Sequence, residues 1–135
     1  MKRNVMLTIA SLLSILFMTF HHTDDIVRGM APGGLINLVV VLTLAVWLYG
    51  TLVLAEQRSG HVIILVASLL VSAIPVVHMM GSGFVGGKIA NSSGAFFFVW
   101  TLIGLGVTAI FSVILSARGL WSLQRGQATH DSRRL

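Results

Sequence analysis

Two imidazoles and two carboxylates stand within five consecutive residues, His21-His22-Thr23-Asp24-Asp25, in a chain that has only five histidines and four acidic residues. On a continuing helix His21 and Asp25 are one turn apart, as are His22 and Asp25, and that spacing lets imidazole and carboxylate share a ligand or a proton. His78 closes a later apolar segment and is followed by Met79-Met80. Imidazole with carboxylate suits zinc, and imidazole with thioether suits copper. His21, His22, Asp24, Asp25 and His78 are therefore the candidate ligand or proton site, with His22, Asp25 and His78 as the candidate metal set. A bis-histidine haem joining His78 to His21 or His22 is a further candidate, because it needs one histidine from each of two helices at equal depth. The competing reading is structural. These are then polar residues marking where helices leave the lipid, and Asp24 with Arg28 four residues on is an ordinary surface ion pair. No CxxC or HExxH pattern accompanies them.

The elements that must position these groups are set by composition. Of 135 residues, 56% are hydrophobic and only 10% charged, and the mean hydropathy is +0.93. A soluble domain carries about 25% charged residues, so most of this surface must face lipid rather than water. The absence of cysteine excludes disulfides, thiolate metal sites, iron–sulfur clusters and cysteine nucleophiles. The net charge of +5 is assigned to basic residues that flank membrane spans rather than to nucleic-acid binding.

Four apolar stretches follow in order, at about 5–22, 35–55, 62–80 and 95–117. A transmembrane helix needs roughly 20 predominantly apolar residues, with about 17 as the floor. The first stretch is preceded by Lys2-Arg3 but followed by no small-x-small cleavage site, so it reads as an uncleaved span. In the connection after it, Thr23 can cap a short interfacial helix opened by Asp24 and Asp25, which Pro32 and Gly33-Gly34 then end. The short turn Glu56-Gln57-Arg58-Ser59-Gly60 forces the second and third spans to run antiparallel. Pro75 predicts a kink near the end of the third span. The expected architecture is an all-α integral membrane protein whose four transmembrane helices form an antiparallel bundle within residues 1–119. A basic cytoplasmic tail follows at 120–135, its beginning at the membrane interface and its end disordered.

An even number of spans puts both termini on one side. The short segments there carry Lys2, Arg3, Arg58, Arg118, Arg125, Arg133 and Arg134, and the other side only Arg28 and Lys88. The positive-inside rule then predicts cytoplasmic termini and places His21, His22, Asp24, Asp25, His78 and the glycine-rich segment 81–94 outside the cytoplasm. Helices in lipid associate through close packing and hydrogen bonds. The stripe Gly104, Thr108, Ser112 and Ser116 on the fourth span is the expected packing face, with Gly106 beside it. Ala10 and Ser14, Thr43 and Gly50, and Ser68 and Ser72 are its counterparts on the other spans, and the fourth-span stripe could alternatively mediate dimerisation.

Two literal motifs are set aside. Gly81-Ser82-Gly83-Phe84-Val85-Gly86 matches GxGxxG but follows an apolar helix rather than a strand, so it reads as a loop. Asn91-Ser92-Ser93 matches a glycosylation sequon that matters only in a secretory pathway. The four stretches contain no internal Asp, Glu, Lys or Arg at 5–20, 35–55, 62–77 or 95–117, which argues against a proton-coupled transporter with a midplane carboxylate. The residues point to a small polytopic protein of a bacterial inner membrane with a binding, accessory or assembly role. Its partners are the bilayer and a homo-oligomer or membrane-protein partner. The alternative is a membrane metal- or haem-binding protein using His21 or His22, Asp25 and His78. An interfacial enzyme acting on lipid or quinone ranks below both, because no nucleophile or second acidic cluster is evident.

Overall fold

The computed structural model describes residues 5–31, 33–80 and 92–131, and side chains among these except at 79 and 127–131. The glycine-rich segment at 81–91, its GxGxxG match, the sequon's Asn91, Lys2, Arg3, Lys88, Arg133 and Arg134 lie outside the described residues. Five helices account for nearly all of the rest: α1 (Val5–Val27), α2 (Leu35–Leu52), α3 (Arg58–Ser72), α4 (Ile74–Met80) and α5 (Ala95–Asp131). No strand occurs among the described residues. Four helical segments are long and apolar enough to cross a membrane: α1, α2, α3 with α4, and α5.

Pro75 explains why the third segment is two helices. Proline has no N–H to donate and its ring clashes with the carbonyl four residues earlier. α3 ends at Ser72, Ala73 N–H turns to the Leu70 carbonyl at 3.3 Å, and the ladder resumes with Val77 N–H to the Ala73 carbonyl at 3.0 Å. The ring is buried and occupies the space beside Gly106 of α5 that a side chain there would need.

Neighbouring helices run antiparallel, as paired contacts show. Phe17 and Ser14 of α1 lie against Gly104 and Ser112 of α5. Ser11 of α1 meets Thr51 of α2, and Gly50 of α2 receives Ile63 of α3. His61 near the start of α3 meets Gly119 near the far end of α5, while Pro75 and His78 meet Gly106 and Phe98 toward its start. The bundle therefore closes in the order α1, α2, α3–α4, α5, and the first and third of these spans bring His21 and His78 to the same end.

The interior is built from small and polar side chains as much as from aliphatic ones. Leu7, Trp47, Ile64, Leu105 and Ala109 form the apolar centre, beside fully buried Ser11, Ser14, Thr51, Ser68, Ser112 and Ser116. Trp47 Nε1–H donates to Ser11 Oγ at 2.8 Å, Ser11 and Thr51 hydroxyls lie 2.7 Å apart, and Thr51 donates to the Trp47 carbonyl at 2.9 Å. One assignment uses each proton once around this ring, which satisfies three polar groups that lipid could not. Of the expected packing residues, Ala10, Ser14, Gly50, Ser68, Ser112 and Ser116 are buried. Thr43 is exposed and returns its hydroxyl to the Val39 carbonyl, so Thr51, one heptad plus one residue later, joins Trp47 in the polar contacts that α2 makes with α1.

Two further features differ from what the sequence predicts. α1 does not pause at Thr23: it continues to Val27, and the Thr23 hydroxyl donates back to the Thr19 carbonyl at 2.7 Å. A β-branched residue in mid-helix satisfies its own hydroxyl this way at little cost, so Thr23 is no cap. α5 continues past its apolar stretch to Asp131, because the polar residues from Arg118 onward include few helix breakers. After α1, Gly33 and Gly34 take positive φ of 78° and 57°. That conformation is open to glycine at no steric cost and turns the chain into α2.

Candidate functional site

The continuity of α1 through Thr23 is what assembles the site. Residues four apart on a helix differ by about 40° around its axis, so His21 and Asp25 share one face, and His22 is turned about 100° from His21. His21 is 1% exposed. Its Nε2 lies 3.4 Å from Asp25 Oδ2. His78 comes from the last turn of α4 and meets the His21 ring edge to face, with centroids 5.0 Å apart and planes at 83°. One ligand atom from each of His21, Asp25 and His78 lies within 4.8 Å of the others.

Phe98 of α5 packs against both imidazoles, at 5.4 Å from His21 and 5.3 Å from His78, and is itself fully buried. It holds two rings that would otherwise have rotameric freedom. The Phe96-Phe97-Phe98 run at the start of the fourth span is the signal that could have marked it. Arg28 braces the same end. Its Nε–H donates to Asp24 Oδ2 at 2.6 Å and its Nη1–H to Ser92 Oγ at 2.6 Å, and the guanidinium sits 5.9 Å from the Phe98 centroid. Gly94 leaves the room that this guanidinium fills. Arg28 thus ties the end of α1 to the segment that begins α5.

The structure therefore sorts the candidate residues. His21, Asp25 and His78 converge. Asp24 does not join them, because its carboxylate is committed to Arg28. His22 also stays outside the group of three, although the proposed metal set included it in place of His21. The cause is helical phase: His22 is turned about 100° around α1 from the His21 ring that meets His78. Met80 is 81% exposed, so its thioether is turned from the cluster, and the Met79 side chain lies outside the described residues. Met18, one turn before His22, does line the cavity beside the cluster.

That cavity, about 310 Å³, is bounded by Met18, His21, Asp25, Ile74, Val77 and His78 among others. Asp25 Oδ1 and His21 Nδ1 are both buried without a protein partner. A bis-histidine haem does not fit here. The two imidazoles touch edge to face with Phe98 against both, which leaves no slab of space between them for a macrocycle.

Fold and site together define the class: a multi-pass helical membrane protein with a His/Asp cluster at one mouth of its bundle. No protein-family model matches the chain, and comparison with curated proteins and with solved structures finds no match.

Proposed function

We propose that the protein binds a borderline divalent metal ion of the zinc class through His21, Asp25 and His78. The observation that carries this is the 3.4 Å separation of His21 Nε2 and Asp25 Oδ2. Two ligand atoms on a tetrahedral zinc, each about 2.0–2.1 Å from the metal, are separated by about 3.3–3.4 Å. A direct charge-assisted N–H···O bond is shorter, about 2.7–2.9 Å. The pair is thus spaced as two ligands of one ion, and rotation of the His78 ring supplies the third. Two imidazoles and a carboxylate favour zinc over hard oxygen-seeking cations. A set of three protein ligands leaves a fourth position open, as in catalytic rather than closed structural sites.

The ion would also neutralise the Asp25 carboxylate, which among the described residues has no arginine or lysine paired with it, Arg28 being held by Asp24 and Ser92. The test is direct. Protein stripped with chelator is titrated with Zn²⁺, and with Co²⁺ as an optical reporter of tetrahedral ligation. Stoichiometric binding in the wild type, lost in Asp25→Ala and His78→Ala, is the expected result. A wild type that binds neither ion removes the reading.

The seven-to-two distribution of basic residues supports cytoplasmic termini, which would put this metal site outside the cytoplasm. The small size and compact connections favour a bacterial inner membrane as its location. A secreted or periplasmic partner could then deliver or receive the ion without crossing the bilayer.

A further inference from the structure

The other mouth of the bundle, where His61 of α3 meets Gly119 of α5, carries a surface of different chemistry. The apolar stretch of α5 ends at Ala117, and the helix runs on to Asp131. Just past that boundary Arg118, Trp121, Ser122 and Arg125 line a hollow of about 380 Å³. Their spacing puts all four on one face of the helix, and all four are exposed. The Arg125 guanidinium lies 4.8 Å from the Trp121 ring centroid, a cation–π contact that positions a long side chain at the hollow. Arg118 forms no ion pair among the described side chains.

Followed back toward the middle of the bundle, the same face turns apolar. Ile114, Phe111 and Val107 stand four, seven and eleven residues before Arg118, within about 40° of it around the helix axis. Each is about half exposed. From Val107 to Arg118 the stripe rises about 16 Å at roughly 1.5 Å per residue, which is one leaflet's share of a hydrocarbon core about 30 Å thick. A cationic hollow thus caps an apolar stripe on a single helix face.

We propose that this face binds an anionic phospholipid of the phosphatidylglycerol class, its phosphodiester between Arg118 and Arg125 and an acyl chain along Ile114, Phe111 and Val107. Charge complementarity selects the headgroup. Two guanidiniums offer planar forks of N–H donors that match phosphate oxygens, Ser122 adds a hydroxyl, and no carboxylate lines the hollow. A zwitterionic headgroup would set its own cation against the two guanidiniums. Trp121 at this level has the amphipathic ring that belongs at a membrane–water interface. The stripe selects a lipid over a free phosphate, which the hollow alone would hold. This site lies at the opposite end of the bundle from His21, Asp25 and His78 and does not depend on the metal reading.

Full-length protein in neutral detergent is incubated with equal amounts of phosphatidylglycerol and phosphatidylcholine of distinct mass, and bound lipid is counted by native mass spectrometry. The expected result is one retained phosphatidylglycerol, preferred about twenty-fold, with about five-fold from each guanidinium. Arg118→Gln and Arg125→Gln should each lower that preference about five-fold. Arg58→Gln, at the same end but outside the hollow, should leave it unchanged. Glycerol phosphate, which carries the headgroup charge without chains, should not displace the lipid. If the arginine variants do not fold, Ser122→Glu puts a carboxylate into the same hollow and should lower the preference at least as much. Equal retention of the two lipids, displacement by glycerol phosphate, or a loss in Arg58→Gln as large as in Arg118→Gln would each overturn the proposal. The second outcome would mark a free-phosphate site, and the third a general attraction to net charge.

Discussion

At the scale of single residues, the cluster separates neighbours that look equivalent in sequence. His21 and His22 are adjacent, yet only His21 faces His78 across the bundle. His21→Ala, Asp25→Ala and His78→Ala should each lower zinc affinity more than the roughly 10–100-fold typical of losing a residue that only orients a ligand, while His22→Ala should stay within a few-fold of wild type, as read by calorimetric titration. Because the ligands must be neutral imidazoles and an ionised carboxylate, binding releases protons. Affinity should therefore fall as the solution is acidified and rise toward neutral pH, with proton release detectable by repeating the titration in buffers of different ionisation enthalpy. A pH-independent affinity would mean that the imidazoles are not ligands. That a His/Asp cluster could form at this end of α1 was legible in the residue types and in the i,i+4 spacing. The choice of His21 over His22 was not, because both spacings suit a helix and only the direction of α4 decides between them.

At the scale of elements, helices in lipid gain nothing from burying leucine against leucine, so contacts depend on small residues and shared hydrogen bonds. Ser11, Trp47 and Thr51 link α1 to α2 in one buried ring of donors and acceptors. Ser11→Ala leaves the Trp47 N–H and the Thr51 hydroxyl short of a partner and should cost about 1–2 kcal/mol. Trp47→Phe in the same background should add little, and denaturant unfolding of the single and double variants in detergent reads that non-additivity. Gly119 is the matching device between α3 and α5, because the His61 ring, whose Nδ1 lies 3.0 Å from the Gln57 carbonyl, occupies the space a side chain there would take. Gly119→Leu should destabilise the bundle by about 1–3 kcal/mol through overpacking, whereas Gly126→Leu, whose side chain would enter open space, should be neutral by the same assay. The stripe of small residues on α5 was visible as a repeat of four. It is used inside one chain, against Phe17 and Ser14 of α1, because α1 is the helix close enough to claim it.

At the scale of the whole molecule, four spans and an asymmetric distribution of basic residues make orientation testable apart from chemistry. The chain has no native cysteine, so Val85→Cys and Gln127→Cys are unique labels. In intact cells an impermeant thiol reagent should modify the first and spare the second until the membrane is opened. The reverse pattern would put the His/Asp mouth in the cytoplasm and change the source of any metal.

The sequence by itself determined the number of spans, their antiparallel alternation and the polar residues at their ends. These depend on local quantities: runs of apolar residues long enough to cross lipid, and short connections that cannot reach far. Tertiary structure decided which helices are neighbours, and hence which of the polar residues meet. Thr23 offered two readings, a cap or one residue of a continuing helix, and packing against α4 and α5 sustains the second. With that continuity His21 and Asp25 come onto one face, as their spacing allows. That this face meets His78, and that Phe98 packs against both imidazoles, are relations between distant segments, and no periodicity within one segment encodes them.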